Sequence, residues 1–134
     1  MFKLTKILNS GVNVAEPCRL NADESLKYVV GSAAVIKNGK VTNASATEKP
    51  ELIIVENEKS REGTVLCARI FPGMIFECPV SDSPVALRVG DAVTLDVKDG
   101  AAIGVTATTA GGVATVTELN GATNAGDTIF VRIV

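Results

Sequence analysis

Residues 64–80 read TVLCARIFPGMIFECPV, the richest apolar run of the chain, broken once, at Pro72-Gly73. A Pro-Gly turn signal between two β-prone segments predicts an antiparallel hairpin. A two-residue loop centred there sets Phe71 opposite Met74, Ile70 opposite Ile75 and Cys67 opposite Cys78. Apolar side chains on both faces of each strand suit a hairpin buried in a sandwich or barrel. An L-Pro-Gly type II turn splays its flanking strands, so a longer loop is the alternative.

Upstream, residues 27–36 (KYVVGSAAVI) lead to Asn38-Gly39. Asn-Gly supplies both positive-φ positions of a type I′ turn, which pairs Ile36 with Val41 and Val35 with Thr42. Residues 52–55 read as a short buried strand, and the charged run 56–63 (ENEKSREG) as a solvated loop. Residues 1–27 are mixed and read as an N-terminal arm or irregular segment, with 28–134 as the β domain. Asn21 and Glu24 match a helix start, but the segment is too short to hold a helix.

Downstream, Val93, Leu95 and Val97 alternate with Thr94 and Asp96, the pattern of one half-buried strand. Lys98-Asp99-Gly100 fits a three-residue hairpin loop, which would pair Val97 with Ala101, Leu95 with Ile103 and Val93 with Val105. From 100 to 126 the sole charge is Glu118. A strand-forming stretch without blocking charges is either packed inside or covered by a partner. Ile129, Val131 and Ile133 fall on one face and tie the C-terminal strand into the core. Gly90-Asp91 and Gly126-Asp127 each precede an alternating strand, as turns whose aspartates bond nearby amides. The expected architecture is all-β, a single-domain barrel or sandwich of antiparallel hairpins with an N-terminal arm.

The bulk numbers narrow the function classes. A chain of 134 residues most simply makes one domain and can bury a self-sufficient core. Aromatic residues are 4% of it, so Val, Ile, Leu and Ala build that core, with Phe71, Phe76 and Phe130 as the large fillers. A net charge of −2 argues against a nucleic-acid surface. Lys3 and Lys6 interrupt the apolar start, so it does not read as a secretion signal, and no run reaches the ~18 apolar residues of a spanning helix. Three cysteines without a CxxC pair imply cytoplasmic synthesis with reduced thiols, Cys67 and Cys78 included.

Chemistry is hard to find. The absence of histidine removes Ser-His-Asp and Cys-His arrangements and the common zinc patterns. No GxGxxG or GxxxxGK[ST] opens a helix, and no calcium-loop spacing surrounds Asp96 and Asp99. No catalytic residue, cofactor, metal site or small-molecule substrate is therefore expected. The candidate residues are those of an interface: Thr115 and Thr117 on the uncharged stretch, and Phe2, Leu4 and Ile7 on the arm.

The segments VNVAEP (12–17), NGK (38–40), MIFE (74–77), VGDAVTL (89–95) and GDTIFVRI (126–133) resemble small β-rich proteins of tailed phages and prophages. These proteins act as head decoration or other capsid-associated subunits. The resemblance implies a non-enzymatic protein, a homo-oligomer with a trimer favoured, which binds capsid protein and ends in the virion. A small β-barrel binding module for a ligand or protein, of unrelated bacterial function, is the alternative.

Overall fold

A computed structural model describes residues 1–7 and 17–133, and in them the chain is all-β. Twelve strands form two antiparallel sheets. They are β1 (Lys3–Ile7), β2 (Pro17–Asn21), β3 (Ala33–Lys37), β4 (Lys40–Asn43), β5 (Leu52–Ile54) and β6 (Thr64–Arg69), then β7 (Met74–Pro79), β8 (Ala92–Val93), β9 (Leu95–Lys98), β10 (Ala101–Val105), β11 (Ala114–Glu118) and β12 (Thr128–Ile133). One sheet runs β1-β7-β12-β11-β8; the other runs β2-β6-β5-β3-β10-β9, with β4 also on β3. The sheets do not close into a barrel, so the fold is a sandwich. No helix among the described residues is long and apolar enough to cross a membrane.

The Pro72-Gly73 turn forms, but the hairpin does not. Met74 N donates to Phe71 O (3.3 Å) and Gly73 has a φ of 92°, a turn with Pro and Gly in the type II positions. Its twist opposes that of paired strands. β6 therefore joins one sheet, between β2 and β5, while β7 joins the other, between β1 and β12. The expected opposition of Cys67 to Cys78 is lost. Cys67 lies opposite Cys18 and Ile54, and Cys78 lies opposite Ile129.

The Asn-Gly hairpin forms in the expected register, Ile36 opposite Val41 and Val35 opposite Thr42. Asn38 and Gly39 have φ of 51° and 73°, as a type I′ turn requires. The next tight turn corrects the three-residue reading. Asp99 and Gly100, at φ 50° and 81°, form a two-residue loop of the same kind. Lys98 thus faces Ala101 and Val97 faces Ala102; a bulge at Ile103 then sets Leu95 against Val105. Nor is 93–97 one strand. Val93 pairs with Ala114 in the five-stranded sheet, and the chain crosses at Thr94 into the other. At the crossing the Thr94 and Thr106 hydroxyls share a 2.7 Å hydrogen bond.

Residues 1–7 are not an arm over the surface. β1 pairs with β7, and Phe2 is 3% exposed, its ring edge-on to Phe76 with centroids 6.2 Å apart. Phe2 and Phe76 are thus the large fillers; Phe130 is half-buried and Phe71 is 39% exposed. Between the sheets Val35, Leu95, Val105, Val116, Ile129 and Val131 complete the main core.

A second core lies on the outside of the seven-stranded sheet, where Leu52, Ile54, Val65 and Cys67 pack under residues 22–28. Tyr28 pins that cover. Its hydroxyl donates to Val41 O (2.7 Å) and accepts from Asp23 N (2.8 Å), while Lys59 Nζ donates to Glu24 O (2.7 Å). The Asn21 segment is held by this clamp and by an Asp23 turn onto Ser25, not by a helix.

Candidate functional site

Alternation along β11 sends Ala114 and Val116 into the core and leaves Thr115 and Thr117 half-buried on the outer face of the five-stranded sheet. On the neighbouring strand β12, Thr128 and Phe130 are half-buried on that face and Arg132 is exposed. Thr115 lies opposite Arg132, and Phe130 lies between Glu118 and Glu77. Ile75, between Arg132 and β1, is the buried exception on this face.

The two sheets differ outside. Leu52 and Ile54, on the outer face of the seven-stranded sheet, are 0% and 1% exposed because residues 22–28 cover them. The face of Thr115, Thr117, Thr128 and Phe130 keeps partial exposure at each position, as a face without a second layer does. Glu77 and Glu118, opposite Phe130, and Lys3, opposite Glu77, lie on the same face, so charged side chains stand beside its threonines and Phe130.

Most of the uncharged stretch 100–126 needs no partner to explain it. β10 lies between β3 and β9, and Ala101, Ala102, Gly104 and Val105 are buried. A Cβ on Gly104 would lie 2.5 Å from Pro79 O, so close approach of the two sheets requires glycine there. The interior account thus covers β10, and the residues left for an interface are Thr115 and Thr117.

Sheet edges are poor docking sites. β2 begins with Pro17, which donates no ladder bond, and carries Arg19 bound to Glu56 (3.2 Å). β1 carries Lys3 and a bulge between Leu4 and Lys6; β9 carries Asp96 and Lys98; β8 has two residues. Proline, charge, bulges and brevity all block strand addition, so contacts fall to faces.

The other sequence candidates are dispersed. Phe2 is core. Leu4, 38% exposed, stands at the mouth of a narrow slot of about 100 Å³ beside Phe2, Ile53, Met74 and Phe76. Ile7 pairs through its backbone with Met74, and its side chain lies outside the described residues. Leu4 and the threonines therefore do not share one surface element.

Sequence reading missed a notch at the margin of the open face. Phe71 and Pro72, carried outward by the turn, line it with Ile70 and Ile133, and Lys49 and Arg132 supply two cations. Its volume is about 270 Å³. The available signal was the type II turn itself, which cannot keep Phe71 facing Met74 inside a hairpin.

The titratable groups show where their chemistry is spent. Burial pushes the Cys78 thiol up to about 12 and, with Cys18 nearby, the Cys67 thiol up to about 11. Neither is a ready nucleophile near neutral pH. Asp127 accepts from the amides of Asn124 (2.9 Å) and Thr123 (3.0 Å), which hold its carboxyl below the ordinary value. Asp91 accepts from Arg88 N (2.9 Å). Both Gly-Asp pairs thus act as the expected turns. Among the described residues no three His, Cys, Asp or Glu side chains gather into a group that could hold a metal ion.

No protein-family model matches the chain, and comparison with curated proteins finds no relative.

Proposed function

We propose that this protein is a non-enzymatic structural subunit that docks through the outer face of its five-stranded sheet. The observation that carries this reading is the asymmetry between the sheets: one outer face is covered by residues 22–28, the other stays half-exposed around Thr115, Thr117 and Phe130, with Glu77, Glu118 and Arg132 beside them. An aromatic set among β-branched residues is a common interface composition. The blocked edges favour face-to-face contact over strand addition. In this reading the partner is a capsid lattice of a tailed phage or prophage. The protein is made in the cytoplasm, joins the virion as a head decoration, and self-associates, with a trimer favoured.

Thr115→Lys and Thr117→Lys test it. Both positions are half-buried on the outer face, so the variants should fold with the wild-type circular dichroism spectrum. Each should lower the sedimentation mass and abolish co-sedimentation with capsids lacking the protein. Wild-type mass and capsid binding in both variants would overturn the reading.

The notch favours a second reading, a binding module for a small carboxylate with an apolar body. Phe71 and Pro72 would meet the body, and Lys49 and Arg132 the charge. Phenylacetate titrated by isothermal calorimetry should give binding that Arg132→Ala removes; no heat from the wild type would exclude it.

A further inference from the structure

Antiparallel pairing of β2 with β6 places Cys18 directly opposite Cys67. Directly opposed residues project to the same side of a sheet. Here that side is the second core, where Cys67 is fully buried and Cys18 is half-exposed at the sheet edge. The ladder class of the pair follows from its end. Ala22 N donates to Gly63 O (2.8 Å), so Ala22 and Gly63 form a hydrogen-bonded pair, and so, by alternation, do Leu20–Val65 and Cys18–Cys67. Pro17, which has no N–H, falls on the alternate class opposite Ala68, as it must. Hydrogen-bonded pairs have Cα atoms about 5.5 Å apart, inside the range a disulfide spans. Their Cβ atoms stand wider than a relaxed disulfide prefers, which makes such a bond strained and easily reduced.

We propose that Cys18 and Cys67 are a reversible covalent modification site, a dithiol that closes to a disulfide and clips edge strand β2 onto β6. The oxidant is a small-molecule disulfide of the glutathione class. The Cys18 thiolate attacks one of its sulfurs and expels one thiol, leaving a mixed disulfide on Cys18. Cys67, giving up its proton, then attacks the Cys18 sulfur and expels the second thiol. Two protein thiols are oxidised to one disulfide, and one small disulfide is reduced to two thiols. Because burial holds Cys67 largely protonated near neutral pH, the second step is the slow one. The mixed disulfide should therefore accumulate first, on the exposed partner. Cys78 takes no part: it lies in the inter-sheet core opposite Ile129, on the other sheet. Closure would tie down an edge that otherwise depends on one neighbouring strand.

The test uses the whole folded chain incubated with oxidised glutathione, followed by alkylation and peptide mass mapping. The expected result is a Cys18 adduct that converts to a Cys18–Cys67 cross-link, with Cys78 still alkylatable only after unfolding. The cross-link should raise Tm by several degrees, and dithiothreitol should reverse it. Cys18→Ser should lose the cross-link, whereas Cys78→Ser should keep it. A stable Cys18 adduct that never closes, a cross-link that includes Cys78 or joins two chains, or no reaction at all would each overturn the proposal. Mapping the wild type decides the matter even if Cys67→Ser does not fold.

Discussion

The Tyr28 hydroxyl donates a 2.7 Å hydrogen bond to Val41 O, thirteen residues away, and in the same position accepts from Asp23 N. One phenol thus anchors the cover of the second core to strand β4. Tyr28→Phe keeps the ring but leaves a buried carbonyl and an amide without their partner. It should cost about 1–3 kcal/mol, read as a lower urea midpoint with an unchanged m-value. A midpoint equal to the wild type would show that water replaces the hydroxyl.

Phe2 provides the sharpest test of whether the N-terminus is structural. With its ring edge-on to Phe76 inside the core, Phe2→Ala should cost about 3–5 kcal/mol. An arm lying over the surface would instead leave the thermal midpoint nearly unchanged.

Gly104→Ala should destabilise even though an alanine fits the local backbone. The added methyl meets Pro79 O, a backbone atom that cannot swing aside, where the two sheets approach most closely. Overpacking of this kind costs about 1–3 kcal/mol. Gly39→Ala separates the two possible causes, since its positive φ is strained but nothing stands within 4 Å of the added atom. Chemical denaturation of both variants measures sheet approach and turn strain independently.

Acid stability should depend on Asp127. Its folded carboxyl sits below the ordinary value of 3.8 because the Asn124 and Thr123 amides bond the charged form. A depressed folded pKa means the unfolded chain binds the proton first. The contribution is thus complete above the unfolded value and disappears as pH falls through the lowered one. Asp127→Asn should flatten the loss of stability below about pH 4 and leave the slope between pH 6 and 8 as it was. Asp23, held by the Ser25 hydroxyl and amide, and Glu48, held by Lys37 and Ser45, shift the same way, so part of the acid limb should remain. An unchanged limb in urea midpoints taken across this range would remove Asp127 as a source.

Local turn chemistry was legible in the residues themselves. Asn38-Gly39 allows one kind of turn, whose twist matches paired strands, so the hairpin and its register followed from two residues. Alternation in 128–133 likewise identified the buried face, and the same period put Thr115 and Thr117 outside. Pro72-Gly73 also made the turn its residues demand, yet the partners of its two strands depended on β1, β2, β5 and β12, distant in sequence. The same holds for 93–97, where an unbroken alternation hides a crossing at Thr94 because both sheets bury the same kind of side chain. Residue type and period determined which positions are apolar, where the chain turns and which side chains share a face. Which strand lies beside which, and hence that Cys67 meets Cys18, that Phe71 is turned outward beside Arg132 and that Phe2 is core, was decided by non-local packing, because a strand's side chains specify a face and not a neighbour.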